Sequence, residues 1–206
     1  TLWPFGGSFV RPEHSSRTWR GPSNQRLVRS WEQAYGEPTP VLDHLSETAI
    51  SEYARRITTA LGAAIRAAKT PALFTDSWEV DPEGLWTADL PDLFCRRHGY
   101  DITPFMEDLD AHPPQRYDYR ELLSQLVLER FFRPLSALCH EAGALARVQA
   151  HGAPTDLIDA YALADIPESE TMLFDPGFSA IAASAAAQAG IEVVSCESFT
   201  CLYGWK

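Results

Sequence analysis

The chain has 206 residues, enough for one substantial core, and its 45% hydrophobic and 22% charged content is an ordinary globular balance. A net charge of −11 with scattered arginines argues against a nucleic-acid partner, because binders of phosphate backbones show a basic stripe. No apolar run reaches the roughly 18 residues that a membrane-spanning helix needs.

The first 45 residues are rich in Pro, Gly, Ser and Trp and show no period, so residues 1–45 read as an irregular loop region and 46–206 as the folded segment. "WPFGG" at Trp3 to Gly7 is turn chemistry beside two aromatics, as in a loop folded over a pocket. From Ser46, a candidate cap, Ile50, Tyr53, Ile57 and Leu61 recur at helical spacing and predict a helix to about Ala68. "PALFTD" predicts a short buried strand ending near Thr75. "PDLFCRRHG" predicts a helix closed by Gly99, and "DITPFMEDLD" another, capped by Asp101 with Pro104 in its first turn. A longer helix is predicted from Tyr117 to Ala142, kinked or split by Pro134 near Phe132 and ended by Gly143. "ALARVQAHG" is the second predicted strand, finishing at Ala150. "IEVVSC" is the third, reached through a helix from Phe178 to Ala189, with Val193 and Val194 in the sheet interior.

Each predicted strand follows a helix, and that alternation favours a parallel sheet with right-handed crossovers. The fold expected is α/β, a parallel (β/α) barrel of TIM type. It would be incomplete, since a whole (β/α)₈ barrel typically takes about 250 residues. A small open three- or four-stranded α/β sheet is the alternative. Thr1 at the start and "CLYGWK" directly after a strand read as cut ends, leaving the compartment undetermined.

Ligands of parallel α/β sheets bind beyond the carboxyl ends of the strands. After the first predicted strand stand Asp76, Trp78 and Glu79; after the second, Gln149, His151 and Asp156; after the third, Glu197. Carboxylates, an imidazole, an amide and an indole thus gather at one end of the sheet. Two carboxylates flanking a scissile bond are what glycoside hydrolysis requires, and Trp3, Trp78 and Trp86 are candidates to stack on sugar faces. Asp156, Asp159, Asp165, Glu168 and Glu170 form an acidic stretch of the kind that suits calcium. "DIPESE" lacks an EF-hand pattern, however, and reads as a solvated or helix-capping segment. Cys95, Cys139, Cys196 and Cys201 have no zinc-type spacing and read as structural thiols.

The motifs "WPFGG", "VLDHLS", "TDSWEV", "YDYR", "RVQAHGAPTDLIDAY", "DIPESE" and "CESFT", in this order, resemble the catalytic barrel of glycoside hydrolase family 106, the α-L-rhamnosidases and their relatives. The resemblance implies an inverting, metal-assisted hydrolysis of terminal α-L-rhamnosides, with calcium contacting the sugar hydroxyls. It makes Glu79 the expected acid and Glu197 the expected base, with Glu170 able to replace either. It also implies substrate-pocket roles for His151 and Asp156. Related enzymes are much longer, so the isolated chain is expected to be a weak or inactive catalyst. A non-catalytic carbohydrate-binding or interaction fragment of such a barrel is the alternative function.

Overall fold

In a computed structural model, residues 42–78, 85–170 and 176–198 are described. The "WPFGG" loop with Trp3, the strand-end Glu79, and Cys201 lie outside them. The described residues fall into two compact units, one of residues 42–50 and 85–131, the other of 51–78, 132–170 and 176–198.

The first unit is helical. It opens on the start of α1 (Glu47–Ala67), where the Ser46 hydroxyl accepts the Ala49 N–H at 3.3 Å, as the sequence predicts for a cap. α2 (Leu90–His98) follows, with Pro91 in its first turn. It ends at Gly99, whose φ of +80° is open to a residue without a side chain. "DITPFMEDLD" corrects the sequence reading. Asp101 does accept the Thr103 N–H at 2.9 Å, but only single 3₁₀ turns form, at Thr103–Phe105 and Leu109–Ala111. Asp108 caps the second turn by accepting the Ala111 N–H, a side-chain bond that competes with a continued helix. α3 (Pro113–Val127) packs against α2, burying Phe94, Tyr119, Leu122, Leu123 and Leu126. Arg130 and Asp89 form a two-pronged ion pair at 2.8 Å.

The predicted long helix begins four residues early and is broken where Pro134 requires. A π-helical turn at Leu128–Phe132 separates α3 from α4 (Arg133–Glu141). Pro134 has no N–H to give to the preceding turn, and the wider π turn absorbs that missing bond.

The second unit is α/β. A four-stranded parallel sheet runs β1 (Ala72–Thr75), β2 (Leu145–Val148), β3 (Ile166–Glu170) and β4 (Ser195–Glu197), in the spatial order β1-β2-β3-β4. α5 (Leu157–Ala162) and α6 (Pro176–Ala189) supply the later crossovers. Every strand therefore pairs with the next one along the chain, the arrangement of a singly wound sheet rather than a doubly wound one. α4 packs on β2, and α6 on β3 and α5. Small residues allow the close approach, since Ala146, Ala160, Ala182 and Ala185 are all buried at 0 or 1% exposure.

Three expectations need correction. "DIPESE" is not a solvated segment: Ile166–Glu170 is a strand, and Glu168, Ser169 and Glu170 are buried. The sheet thus has four described strands, one more than predicted. Val193 and Val194 precede β4 and are 56% and 40% exposed, so the last strand is built on "SCE" and not on the valines. In α1 the buried residues of this unit are Ala54 and Ile65, while Tyr53, Ile57 and Leu61 are exposed although they share the helical face of those two residues. The periodicity located that helix and its apolar face, which is covered only in part.

Candidate active site

Alternation along β2 sorts its side chains. Ala146, Val148 and Ala150 point one way and are almost fully buried; Arg147, Gln149 and His151 have the opposite parity. The register pairs Arg147 with Ile166 and Val148 with Pro167, which brings Gln149 beside Glu168. One strand further, Glu168 pairs with Ser195 and Glu170 with Glu197. A polar row therefore crosses the sheet near its carboxyl end.

The row is bonded throughout. Gln149 Nε2 donates to Glu168 Oε1 at 3.0 Å and to Glu197 Oε2 at 2.7 Å. Glu168 Oε2 accepts from Arg147 Nε and from Ser195 Oγ, the latter at 2.5 Å. Burial alone would push the Glu168 carboxyl up, yet the donors from Arg147, Ser195 and Gln149 outweigh it and hold the carboxyl below its usual value. A carboxylate that is 1% exposed is thus kept charged. The Arg147 guanidinium also sits 5.0 Å from the centre of the Phe74 ring on β1.

Beyond the strand ends a second group forms. His151 Nε2 lies 2.6 Å from Glu170 Oε2, and both residues are buried. The Tyr161 hydroxyl stands 3.5 Å from His151 Nδ1, and the Phe178 ring meets the imidazole edge to face at 5.5 Å. Burial raises the Tyr161 hydroxyl to about 12, so it stays protonated and able to donate at neutral pH.

The sequence-predicted residues are distributed as follows. Gln149, His151, Glu170 and Glu197 come together at one end of the sheet. The Trp78 N–H donates to the His151 carbonyl at 3.0 Å, which brings the end of β1 to the same place. Trp78 is itself buried at 5% exposure, its ring 6.5 Å from that of Phe132, as a core indole would be. Trp86 is buried at 4% in the helical unit. Asp76 is exposed at the end of β1 and accepts the Ser77 N–H at 2.8 Å. Asp156 caps α5, accepting the N–H groups of Ile158 and Asp159, and that cap occupies its carboxylate.

Three members of the row, Arg147, Glu168 and Ser195, were not singled out as site residues from the sequence. A signal was present in "RVQAH" and "PESE", where polar residues recur at every second position, as on one face of a strand. Among the described residues no three His, Cys, Asp or Glu side chains are grouped to hold a cation. Cys95, Cys139 and Cys196 are free thiols. No described helix is long and apolar enough to cross a membrane.

No curated protein matches this chain. Among solved structures it is similar to a rhamnosidase from Novosphingobium sp. PP1Y, at 24% identity and a TM-score of 0.63. The match covers 79% of this chain and 18% of that one, and at such identity it supports the fold alone. Residues 40–205 match the family model Glyco_hydro_106, described as alpha-L-rhamnosidase. That match takes in 166 of the 206 residues, and the chain belongs to glycoside hydrolase family 106.

Proposed function

We propose that this polypeptide carries strand-end machinery of an inverting α-L-rhamnosidase, built on one arc of a (β/α) barrel, with a terminal rhamnoside as substrate. The observation that carries the reading is the in-register pair Glu170 and Glu197 at the carboxyl ends of adjacent strands, each held by a polar partner, His151 and Gln149 respectively. Their register puts both side chains on the same side of the sheet at its carboxyl end, while the wider separation of about 6.5–9.5 Å that inversion requires is the one proposed for Glu197 and Glu79. In the inverting reaction one carboxylic acid protonates the leaving oxygen while a carboxylate takes a proton from the attacking water. Glu197, receiving an amide donor, suits the base; Glu79, following β1, is the proposed acid, and Glu170 is the residue able to replace either. Calcium, implied by the family resemblance, is proposed as a supplement.

The test is hydrolysis of an aryl α-L-rhamnoside by the purified chain with calcium, beside Glu79→Gln and Glu197→Gln. Slow hydrolysis is expected, falling at least about 100-fold in both variants while their circular dichroism is unchanged, as loss of an acid or base catalyst entails. Rhamnose binding without any hydrolysis would overturn the catalytic reading and leave a binding module.

A further inference from the structure

We propose that Gln149 is a positioning residue for Glu197, with the two N–H bonds of its side-chain amide committed to Glu168 and Glu197 so that Glu197 is held in place as the base. This inference rests on the glycosidase reading for the word "base" but not for the geometry.

A primary amide has two N–H donors and one carbonyl acceptor. Here Nε2 sits between Glu168 Oε1 at 3.0 Å and Glu197 Oε2 at 2.7 Å. The opposite orientation would place three acceptors together when both carboxylates are ionised, so the chemistry of the neighbours fixes which way the amide faces. Glu168 in turn is tied to Arg147 and Ser195 and is charged at neutral pH. Arg147 therefore anchors Glu168, Glu168 orients Gln149, and Gln149 holds Glu197. Neither amide proton remains for a sugar hydroxyl. The Gln149 carbonyl oxygen is buried, with no hydrogen-bond partner among the described residues, and is the amide's one remaining bonding atom.

Among the described residues, the charged groups around Glu197 include those on the neighbouring elements. Glu170 lies opposite it on β3, with Glu168 two residues before, and His151 stands against Glu170. Arg147 on β2 faces Glu168, and α6, which packs on β3, carries no titratable side chain.

The experiment is a carbon-13 carboxyl NMR titration of the full chain labelled at glutamate, with Glu197 assigned from the Glu197→Gln spectrum. In Gln149→Met, which keeps the volume and removes the donor, the Glu197 midpoint should rise by about one pH unit, the tenfold change that one hydrogen bond to a charged group carries. In Ser195→Ala the Glu168 midpoint should rise and that of Glu197 should stay put. Equal movement of Glu197 in both variants would overturn the proposal by making the effect one of general packing. The parent chain supplies a reading that needs no variant: both Gln149 side-chain amide protons should shift as Glu197 and Glu168 titrate. If they follow neither carboxylate, the proposal falls. None of these readings requires turnover, so an inactive chain with coupled titrations would sink the glycosidase reading and leave the Gln149 assignment standing.

Discussion

Glu168 shows how a charged side chain can belong to the inside of a sheet. Its carboxylate is almost without solvent contact, and removing a charge from water is tolerated only when partners replace the water. Arg147 is the one cation among those partners and is about 40% exposed along its side chain. Arg147→Met should therefore destabilise the chain by about 2 kcal/mol at neutral pH, a figure kept low because the guanidinium is partly solvated. The pH dependence has a definite sign. The folded carboxyl lies below its ordinary value of 4.5, so its contribution is full above that pH and is lost as pH falls through the lowered value. Urea denaturation of parent and variant should thus differ at pH 7 and converge once the pH has fallen through the lowered value of Glu168. A difference that persists unchanged into acid would mean that the Arg147–Glu168 pair is not what the substitution removed.

At the scale of elements, the helices were the most legible part of the sequence. Ser46, Gly99, Pro134 and Gly143 each ended or broke a helix for a local steric or hydrogen-bonding reason, and local reasons can be read from a few neighbouring residues. β3 was not legible, because "IPESE" lacks the apolar character of a buried strand and its polar residues are satisfied by β2 and β4. Those partners lie 19 and 27 positions away, beyond any local pattern. The same distance hid the role of Glu168, whereas Gln149 and Glu197 could be placed at strand ends and Glu170 was named for catalysis only through the family resemblance. The valines before β4 misled in the opposite direction, since apolar character alone does not fix where a strand starts.

The helices that cover the sheet make their own prediction. Burial raises the Cys139 thiol on α4 from 9.0 to about 11, with the Asp165 charge adding to it, and raises the Tyr161 hydroxyl on α5 from 10.0 to about 12. For both groups the folded value lies above the ordinary one. The stability they contribute is therefore full below about pH 9 and is lost as pH climbs toward about 12. Urea midpoints should fall between about pH 8 and pH 10.5, and iodoacetamide should label Cys139 only on unfolding, while the exposed Cys95 and Cys196 react directly. Prompt labelling of Cys139 in the folded chain would show that α4 does not seal β2.

At the scale of the whole molecule, the four strands form a continuous parallel run in chain order, and the chain spans 18% of the length of the rhamnosidase it resembles. Helices pack on β2 and β3, while a bonded polar row crosses the sheet. In a (β/α) barrel such a row belongs at the mouth, where rigid strands hold reacting groups and loops admit substrate. The hydrogen bond from Gln149 fixes the Glu197 carboxylate at the end of β4. Its proposed role as base is most directly tested with Glu197→Ala and azide, supplied with an aryl α-L-rhamnoside. Azide needs no base to attack the anomeric carbon, so turnover absent in the variant should return with azide and yield the inverted rhamnosyl azide. A folded Glu197→Ala chain that azide fails to rescue, with rescue appearing instead in Glu170→Ala, would contradict the assignment and move the base to β3.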